Sequence, residues 1–351
     1  MGKYSLSILI VFGSGNGEEK ISHITANNVF NALLNSGYKN IQMYDLNSAK
    51  VCAYDGNLSL KNENSSDSIQ KNLNEVQALD FNIVSYIKKS KTDVVFNATH
   101  GSFGEDGKLQ QILDLLGTKY THSGPLASMI GMDKYRFYEL LSPHGIDFPE
   151  YELVDISKIE QGVFKRKIED FIKKFKKIII KPNNGGSSVG LMVVDENCVN
   201  ESVLNYYSDD NQFKELLICR YIDGIEVSCG MLCDKILDCV EIIPGGGVYN
   251  YDAKYLTFDR NQYLIPPKSI TKEQQFIIKN LTKKMHDIIG CKTISRSDFI
   301  VCKETGKVYT LEINTQPGMT PSSLTPKMAK HTLNMSYEDL IEDILIDAID
   351  K

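Results

Sequence analysis

The sequence predicts an α/β protein in two parts: a parallel sheet with covered faces, followed by α+β units built on antiparallel strands. The first third alternates apolar, strand-like runs with amphipathic helical segments, which is typical of a parallel sheet. The later sequence places several strand-like runs in close succession, and this favours antiparallel pairing. At 351 residues the chain has room for two or three domains.

The first third is predicted to form the parallel sheet and its helices. Three apolar runs of strand length lie at 5–13, 41–46 and 93–98. Three segments are predicted to be helical: 19–36, a segment near 80–90, and 108–116. Residues 47–79 are polar and rich in Asn, Ser and Lys, which indicates an irregular or partly helical insertion.

The rest of the chain is predicted to form the antiparallel units. Helices are expected over 125–141, 157–175, 271–289 and 336–350. Strands are expected at "YELV", "KIIIKP", "ELLICRYI", "EVSCGMLC", "ILDCVEII", "TISRSDFIVC" and "VYTLEINT". The helix over 157–175 is basic enough to suggest a nucleic-acid patch, but its apolar stripe, which includes Phe164, Ile168 and Ile172, favours a solvated helix face.

Composition argues against several classes of protein. The formal net charge of −6 disfavours general nucleic-acid binding. No apolar run approaches the roughly 20 residues of a membrane span, and residues 1–15 lack the pattern of a signal peptide. The eight cysteines are dilute and include no C-x-x-C pair, so buried thiols of a cytoplasmic protein are expected rather than disulfides or a metal site.

Two glycine-rich loops follow predicted strands in the first third. In "FGSGNGEE", Glu18 stands where a dinucleotide-binding G-x-G-x-x-G needs glycine, and a carboxylate there would repel cofactor phosphates. Glu18 is expected to receive a substrate ammonium or, in the simpler alternative, to complement the helix dipole. "ATHGSFGEDG" carries His100 and Glu105 at a strand end, where ligands bind in open α/β sheets. The alternative is that His100 only organises the loop through hydrogen bonds.

The segment "KPNNGGSSVG", residues 181–190, is predicted to be a hairpin tip that binds phosphate. Its glycines and serines can direct backbone N–H groups at an anion, and Lys181 adds a positive charge. Such a tip is also able to close over a nucleotide as a lid. A plain Asn-Gly hairpin turn is the alternative, which explains the glycines but not the paired serines Ser187 and Ser188.

Two strands near the C-terminus carry the most specific pattern. "SRSDF" and "LEINTQPGMT" are expected to be neighbours, with Asp298 beside Glu312 and Asn314. Glu312 and Asn314 are two residues apart, so in a strand they point to the same face. Facing carboxylates repel each other without a cation, and two carboxylates with an amide oxygen suit Mg²⁺.

These features, together with Arg296, predict ATP-driven activation of a carboxylate. Five segments then stand in order along the chain: "HGSFGEDGKLQQILDLLGTKYTHSGPLASMIGMDK", "KPNNGGSSVG", "YNYDAKY", "RSDF" and "LEINTQPGMTPSSLTP". They resemble the D-alanine–D-alanine ligases, ATP-grasp enzymes of peptidoglycan synthesis. The resemblance extends from about residue 8 to the C-terminal helix, apart from the insertion at 47–79.

The resemblance implies an ATP-grasp fold and a reaction. The N-terminal parallel α/β domain, 1–123, would bind substrate, and two α+β domains, 124–218 with the lid hairpin and 219–351 with the metal site, would clamp the nucleotide. ATP would phosphorylate the carboxylate of one D-alanine to an acyl phosphate, and the amine of a second D-alanine would displace the phosphate. The resemblance also implies a homodimer.

The resemblance further implies a role for each site residue. ATP would contact Lys134, Lys181, Lys254, Ser187 and Ser188 through its phosphates, Glu226 through its ribose, and Cys219, Arg220 and Tyr221 through its adenine. Two Mg²⁺ ions, or Mn²⁺ as a substitute, would bind Asp298, Glu312 and Asn314. The first D-alanine would bind Glu18 and His100, and the second Ser323 and Leu324. Arg296 and the backbone N–H of Gly318 would stabilise the tetrahedral oxyanion, while Ser187 and Tyr255 would bond with Glu18.

One of the departures from the family bears on nucleotide binding, and two alternatives for the function remain. Cys219 stands where the family commonly has an acid that receives the adenine amino group. A sibling ligase with D-serine or D-lactate as acceptor is the nearest alternative, although Tyr255 after Lys254 favours D-alanine. A nucleotide-binding oxidoreductase built on "GSGNG" is the more distant one.

Overall fold

The structure, a computed structural model, describes residues 5–13, 18–52, 81–186, 188–196, 201–208, 213–245 and 261–350. Strands within these ranges form three β-sheets, and helices pack against them. None of the helices in this part of the chain combines the length and the apolar character that crossing a membrane requires. The predicted combination of a parallel α/β part with antiparallel α+β parts is confirmed.

The first sheet is the predicted parallel one. Its strands, in the order β3-β2-β1-β4-β5, are β1 (Ser7–Phe12), β2 (Asn40–Asp45), β3 (Lys50–Cys52), β4 (Val94–Asn97) and β5 (Lys119–Tyr120). Its helices are α1 (Glu19–Asn35), α2 (Phe81–Ser90) and α3 (Lys108–Leu116). All neighbouring pairs are parallel except β2 and β3. Strand β3 lies in the predicted insertion at 47–79, of which 53–79 lies outside the described residues.

The prediction of one helix over 125–141 is wrong. Two helices, α4 (Pro125–Met132) and α5 (Lys134–Leu141), meet at Asp133, which has φ −90° and ψ 94°. The Asp133 carboxylate accepts a hydrogen bond from the N–H of Arg136 (3.0 Å) and so caps α5, which satisfies a donor that the helix itself cannot pair. Asp133 also forms a backbone bridge with Asn184, so the break holds the start of α5 against the 181–190 hairpin.

The second sheet is antiparallel and carries the 181–190 hairpin between two of its strands. In the order β6-β9-β7-β8, the strands are β6 (Tyr151–Asp155), β7 (Lys177–Pro182), β8 (Met192–Asp195) and β9 (Glu215–Arg220). Helices α6 (Gln161–Phe175) and α7 (Glu201–Ser208) share a hydrophobic core with them. Phe164, Ile168 and Ile172 of α6 are buried in this core, which confirms the predicted packing stripe.

The third sheet is also antiparallel. Its strands are β10 (Gly224–Leu232), β11 (Lys235–Ile236), β12 (Val240–Ile243), β13 (Gln262–Leu264), β14 (Ile294–Cys302) and β15 (Val308–Asn314), in the order β13-β12-β10-β14-β15 with β11 on β10. Helices α8 (Lys272–Ile289), α9 (Leu324–Leu333) and α10 (Tyr337–Asp350) complete the chain. The prediction of a single strand at "ILDCVEII" is wrong, because β11 and β12 are separate strands. Between them, the Asp238 N–H donates to Thr332 Oγ1 (2.7 Å) instead of to a neighbouring strand.

One hydrophobic core joins the first sheet to the C-terminal helices. Ile10 and Phe12 of β1 share this core with Ile341 and Leu345 of α10. The first sheet is therefore fixed against the C-terminal part of the chain by buried apolar surface. The division at 1–123, 124–218 and 219–351 stays a prediction, and because β9 ends at Arg220, a second boundary after that residue fits the strand pairing better.

Candidate active site

A cavity of about 500 Å³ lies between the second and third sheets. Strands β7 and β9 contribute to one wall, and β10, β12, β14 and β15 contribute to the other. Residues predicted to bind ATP or metal line it: Lys134, Lys181, Ser188, Cys219, Arg220, Tyr221, Glu226, Asp298 and Glu312. Its volume lies within the range of about 300–1,000 Å³ that is usual for small-molecule sites.

Two lysine amines are held in this cavity. Lys134, only 6% exposed, donates through Nζ to the Gly185 carbonyl (2.6 Å), and its Nζ lies 3.4 Å from Glu312 Oε2. Lys181 Nζ donates to the Tyr138 hydroxyl (3.1 Å). Burial lowers the pKa of Lys134, the Glu312 carboxylate opposes this, and the Lys181 charge adds to it. A phosphate bound between the two amines would relieve their repulsion.

The third sheet brings the predicted metal ligands together. Asp298 of β14 is paired in register with Glu312 of β15, and a β-bulge follows Asp298. The Asn314 side-chain amide donates to Asp298 Oδ2 (3.2 Å). On the other side of β14, the Ser228 hydroxyl of β10 donates to Asp298 Oδ1 (2.5 Å). Register and the two-residue strand period therefore place two carboxylates and an amide on one face.

The charges around these carboxylates bear on whether a metal fits there. Arg296 donates through Nε to Asp298 Oδ1 (2.9 Å) and through Nη2 to Oδ2 (2.8 Å), a bidentate pair. Lys134 Nζ places a positive charge beside Glu312. Within the described ranges no group of three His, Cys, Asp or Glu side chains could hold a metal ion. The donor set fits Mg²⁺ when the Asn314 oxygen and substrate phosphates supply further ligands, as Mg²⁺ sites commonly require.

The end of β9 contributes to the same cavity. Arg220 Nη1 lies 3.4 Å from both carboxylate oxygens of Glu150, and the backbone N–H of Arg220 donates to the Glu150 carbonyl (2.8 Å). The N–H of Tyr221 donates to the Lys177 carbonyl (3.1 Å), so an adenine ring would have to use neighbouring groups instead of these two N–H donors. Burial raises the pKa of Cys219, although Lys181 and Lys134 oppose this, and a neutral thiol is only a weak acceptor.

Glu18 lies beside a second cavity of about 520 Å³. Gly186 lines both this cavity and the 500 Å³ cavity, so the 181–190 hairpin separates the two. Glu18 is 8% exposed and stands at the start of α1 without capping it through its side chain. Gly101 has φ 75°, and a Cβ added there would lie 2.5 Å from Glu18 Oε2, so only glycine lets this loop approach the carboxylate so closely.

His100 is buried between two hydrogen-bonding side chains. Its Nε2 lies 3.0 Å from Thr25 Oγ1, and its Nδ1 lies 3.2 Å from Glu105 Oε1. Burial by itself lowers the pKa of His100, but the hydrogen bond and charge of Glu105 and the charge of Glu18 outweigh it, so the pKa is raised. The raised pKa favours an imidazolium, which suits an amino-acid carboxylate better than the neutral ring does.

Glu105→Gln is expected to make the protein's stability respond differently to pH. A histidine pKa raised on folding gives stability that is fully present below the ordinary value of about 6.5 and is lost as pH rises through the raised value. The melting temperature of the variant should therefore fall furthest below wild type under pH 6.5, and the gap should narrow at higher pH. Thermal unfolding between pH 5.5 and 8.5 measures it. In a His100→Asn background, the Glu105 substitution should cause a change that does not vary with pH.

Gly318, predicted for the oxyanion, lies after β15 together with Ser323 and Leu324, which are predicted for the second D-alanine, whereas Arg296 lies on β14. Ser323 Oγ accepts a hydrogen bond from the Thr320 N–H (3.1 Å), and a Cβ added at Gly318 would lie 3.2 Å from this Oγ. Leu324 is buried as the first residue of α9. These residues line neither of the two cavities. Ser187, Lys254 and Tyr255 lie outside the described residues.

Three residues of the 500 Å³ cavity region were not predicted from the sequence. Tyr138 is one helical turn after Lys134 in α5, so the four-residue spacing could have indicated it. Ser228 and Glu241 had no such signal, because their positions depend on which strands are neighbours. Glu241 accepts hydrogen bonds from the N–H groups of Lys268 (2.8 Å) and Ser269 (2.9 Å) and so anchors part of the cavity wall.

Comparisons with known proteins agree with this arrangement. A family model described as "D-ala D-ala ligase N-terminus" matches residues 7–123, and one described as "D-ala D-ala ligase C-terminus" matches residues 140–346. A D-alanine–D-alanine ligase of Pelagibacter ubique is 40% identical over 77% of this chain and 85% of its own length. D-alanine–D-alanine ligase B of Mesorhizobium japonicum is 33% identical over 90% of this chain and 97% of its own length.

Solved structures show the same fold. The crystal structure of a Bacillus anthracis D-alanine–D-alanine ligase complexed with ATP aligns with a TM-score of 0.74 at 22% identity, covering 99% of this chain and 98% of that one. The sequence matches span both the loops around Glu18 and His100 and the strands with Asp298 and Glu312. The chain belongs to the D-alanine–D-alanine ligase family.

Proposed function

We propose that this protein joins two molecules of D-alanine into D-alanyl-D-alanine and uses ATP to drive the reaction. The observation that carries the proposal is the meeting of Lys134 and Lys181 with the facing carboxylates Asp298 and Glu312 at one cavity. Amines suit phosphate, and facing carboxylates suit a divalent cation, so the cavity fits a metal-bound nucleotide. Family membership supplies the substrate class, and peptidoglycan synthesis is the role that follows.

The nucleotide is proposed to occupy the 500 Å³ cavity. Its phosphates would lie near Lys134, Lys181 and Ser188. Ser187 and Lys254, which are outside the described residues, would also contact the phosphates. Its ribose would contact Glu226, and its adenine the end of β9 at Cys219, Arg220 and Tyr221. Asp298, Glu312 and Asn314 would hold two Mg²⁺, or Mn²⁺ as a substitute, and the bound metal would neutralise charge on the phosphates.

The chemistry proceeds in two steps in this proposal. The carboxylate of the first D-alanine takes the γ-phosphoryl group of ATP, which gives an acyl phosphate and ADP. The amine of the second D-alanine then attacks the acyl carbon, and phosphate leaves. Arg296, held in one orientation by its two hydrogen bonds to Asp298, would stabilise the oxyanion with the N–H of Gly318.

The amino acids are proposed to bind on the other side of the 181–190 hairpin. Glu18 would receive the ammonium of the first D-alanine, and the His100 imidazolium would assist binding. Ser323 and Leu324 would receive the carboxylate of the second, while Ser187 and Tyr255 would bond with Glu18 and close the site. We further propose that the enzyme acts in the cytoplasm, where ATP is available, and that it is a homodimer of three-domain subunits.

Release of ADP with a panel of acceptors tests the proposal. Purified protein with ATP, Mg²⁺ and D-alanine is expected to release one ADP for each D-alanyl-D-alanine detected by mass spectrometry. With D-alanine as the first substrate, D-serine and D-lactate should give slower turnover as acceptors. Absence of dipeptide with D-alanine, or a preference for D-lactate, would contradict the proposal.

Cys219→Glu is expected to raise the preference of the enzyme for ATP over GTP. A carboxylate at the end of β9 would add an acceptor for the adenine amino group, and a hydrogen bond to a charged group contributes about 1.5–3 kcal/mol. The ratio of KM(GTP) to KM(ATP) should therefore rise by about tenfold or more, while KM for D-alanine changes little. Cys219→Gln, which adds similar bulk without charge, is the matched control. Equal nucleotide ratios in the wild type and the Glu variant would contradict the prediction.

A further inference from the structure

A buried hydrogen-bond network connects the His100 loop to the loop that carries Gly318. Gln316, two residues before Gly318, is only 5% exposed. Its Nε2 donates to the Thr99 carbonyl (2.6 Å), and its Oε1 accepts from Asn97 Nδ2 (2.6 Å). Asn97 ends β4, and Thr99 directly precedes His100. One side chain therefore ties the C-terminal loop to the strand end that carries His100.

Further hydrogen bonds fix the His100 loop itself. Asn97 Nδ2 also donates to the Gly104 carbonyl (2.9 Å), which accepts from Gln110 Nε2 as well (2.6 Å). Asn97 Oδ1 accepts from both the N–H (3.2 Å) and the hydroxyl (2.7 Å) of Thr99. A Cβ added at Gly104 would lie 1.4 Å from Thr99 Oγ1, so this close packing requires glycine. The loop is thus held from inside as well as through Gln316.

The residues of this network are shielded from solvent. Asn97, Thr99, Gln110 and Gln316 are all buried. In such surroundings hydrogen bonds are stronger, and a group left unpaired costs about 1–3 kcal/mol. Removing the Gln316 amide would take away the donor that it offers to Thr99 and the acceptor that it offers to Asn97. Directional bonds of this kind define the relative position of two loops more sharply than apolar contacts do.

We propose that Gln316 is a positioning residue that fixes the distance between the two ends of the active site. His100 and Glu18 form the amino-acid end, and Arg296 and Gly318 form the acyl-transfer end. This inference rests on the proposed function. A misplacement of reacting groups by about 1 Å can lower a rate by about 100-fold, so a network that holds the two loops in register bears directly on turnover. Gln316 lines neither cavity, so its proposed effect is exerted through these loops.

Gln316→Leu separates positioning from stability. We expect kcat to fall by about 10- to 100-fold and KM for the first D-alanine to rise, with KM for ATP within about twofold of wild type. A purely structural residue would lower the amount of active enzyme without separating the two KM values. Thr282→Val is the matched control, because it removes a buried hydroxyl that donates to the Ile278 carbonyl (2.9 Å) in α8, away from both cavities.

If Gln316→Leu does not fold, Gln316→Asn, whose amide is too short to reach both partners, is expected to show the same separation of KM values, and wild-type kinetics would overturn the proposal.

The wild-type protein separates this inference from the proposed function. If wild type forms no D-alanyl-D-alanine from ATP and D-alanine, the proposed function fails and the inference fails with it. If wild type is active and Gln316→Leu matches Thr282→Val in kcat and both KM values, only the positioning role of Gln316 fails.

Discussion

Replacing Glu312 with Gln is expected to lower the rate of ATP-dependent dipeptide formation by at least about 100-fold while the fold stays intact. Glu312 faces Asp298 across β14 and β15 and is the carboxylate beside Lys134. A neutral amide cannot be shared between two divalent cations as a carboxylate can, and it would leave the Lys134 charge without its partner. Initial rates over a range of Mg²⁺ concentrations, with circular dichroism for the fold, measure the effect.

The matched control for this prediction is Glu304→Gln. Glu304 is exposed in the turn between β14 and β15, so the same chemical change there leaves the cavity untouched. Its rate should stay near wild type. Turnover of Glu312→Gln near wild type, with an unchanged dependence on Mg²⁺, would exclude a metal-binding role for Glu312.

Arg296→Lys is expected to lower kcat by about 10²- to 10³-fold. Lysine keeps the positive charge but has no planar fork, so it cannot reproduce the bidentate pair with Asp298 that orients the guanidinium. If Arg296 stabilises the oxyanion, the step most affected is attack of the second D-alanine. Hydroxylamine trapping should then still detect acyl phosphate when dipeptide formation is slow.

Arg166→Lys serves as the control for the arginine substitution, because Arg166 is exposed on α6 and lines neither cavity. It should match wild type in kcat. Equal losses of acyl phosphate and dipeptide in Arg296→Lys would place the role of Arg296 before the second step and contradict its assignment to the oxyanion.

Features with local causes were predictable from the sequence. The strand period of two places Glu312 and Asn314 on one face, and β15 shows this arrangement. Alternating strands and helices predicted the parallel sheet of the first third, in which β1 and β4 are fully buried. In both cases the sequence pattern that predicts the feature extends over only a few neighbouring residues of the chain.

Other features were decided only by tertiary structure. The 125–141 segment has helical character throughout, and what ends α4 is Asp133, whose backbone bridges to Asn184 fifty-one positions along the chain. Ser228 contacts Asp298 because β10 lies next to β14, a strand order that no local pattern specifies. Gln316 meets Asn97 across 219 positions of sequence. Such contacts arise from the packing of whole sheets and helices, so their partners could be identified only once the chain had folded.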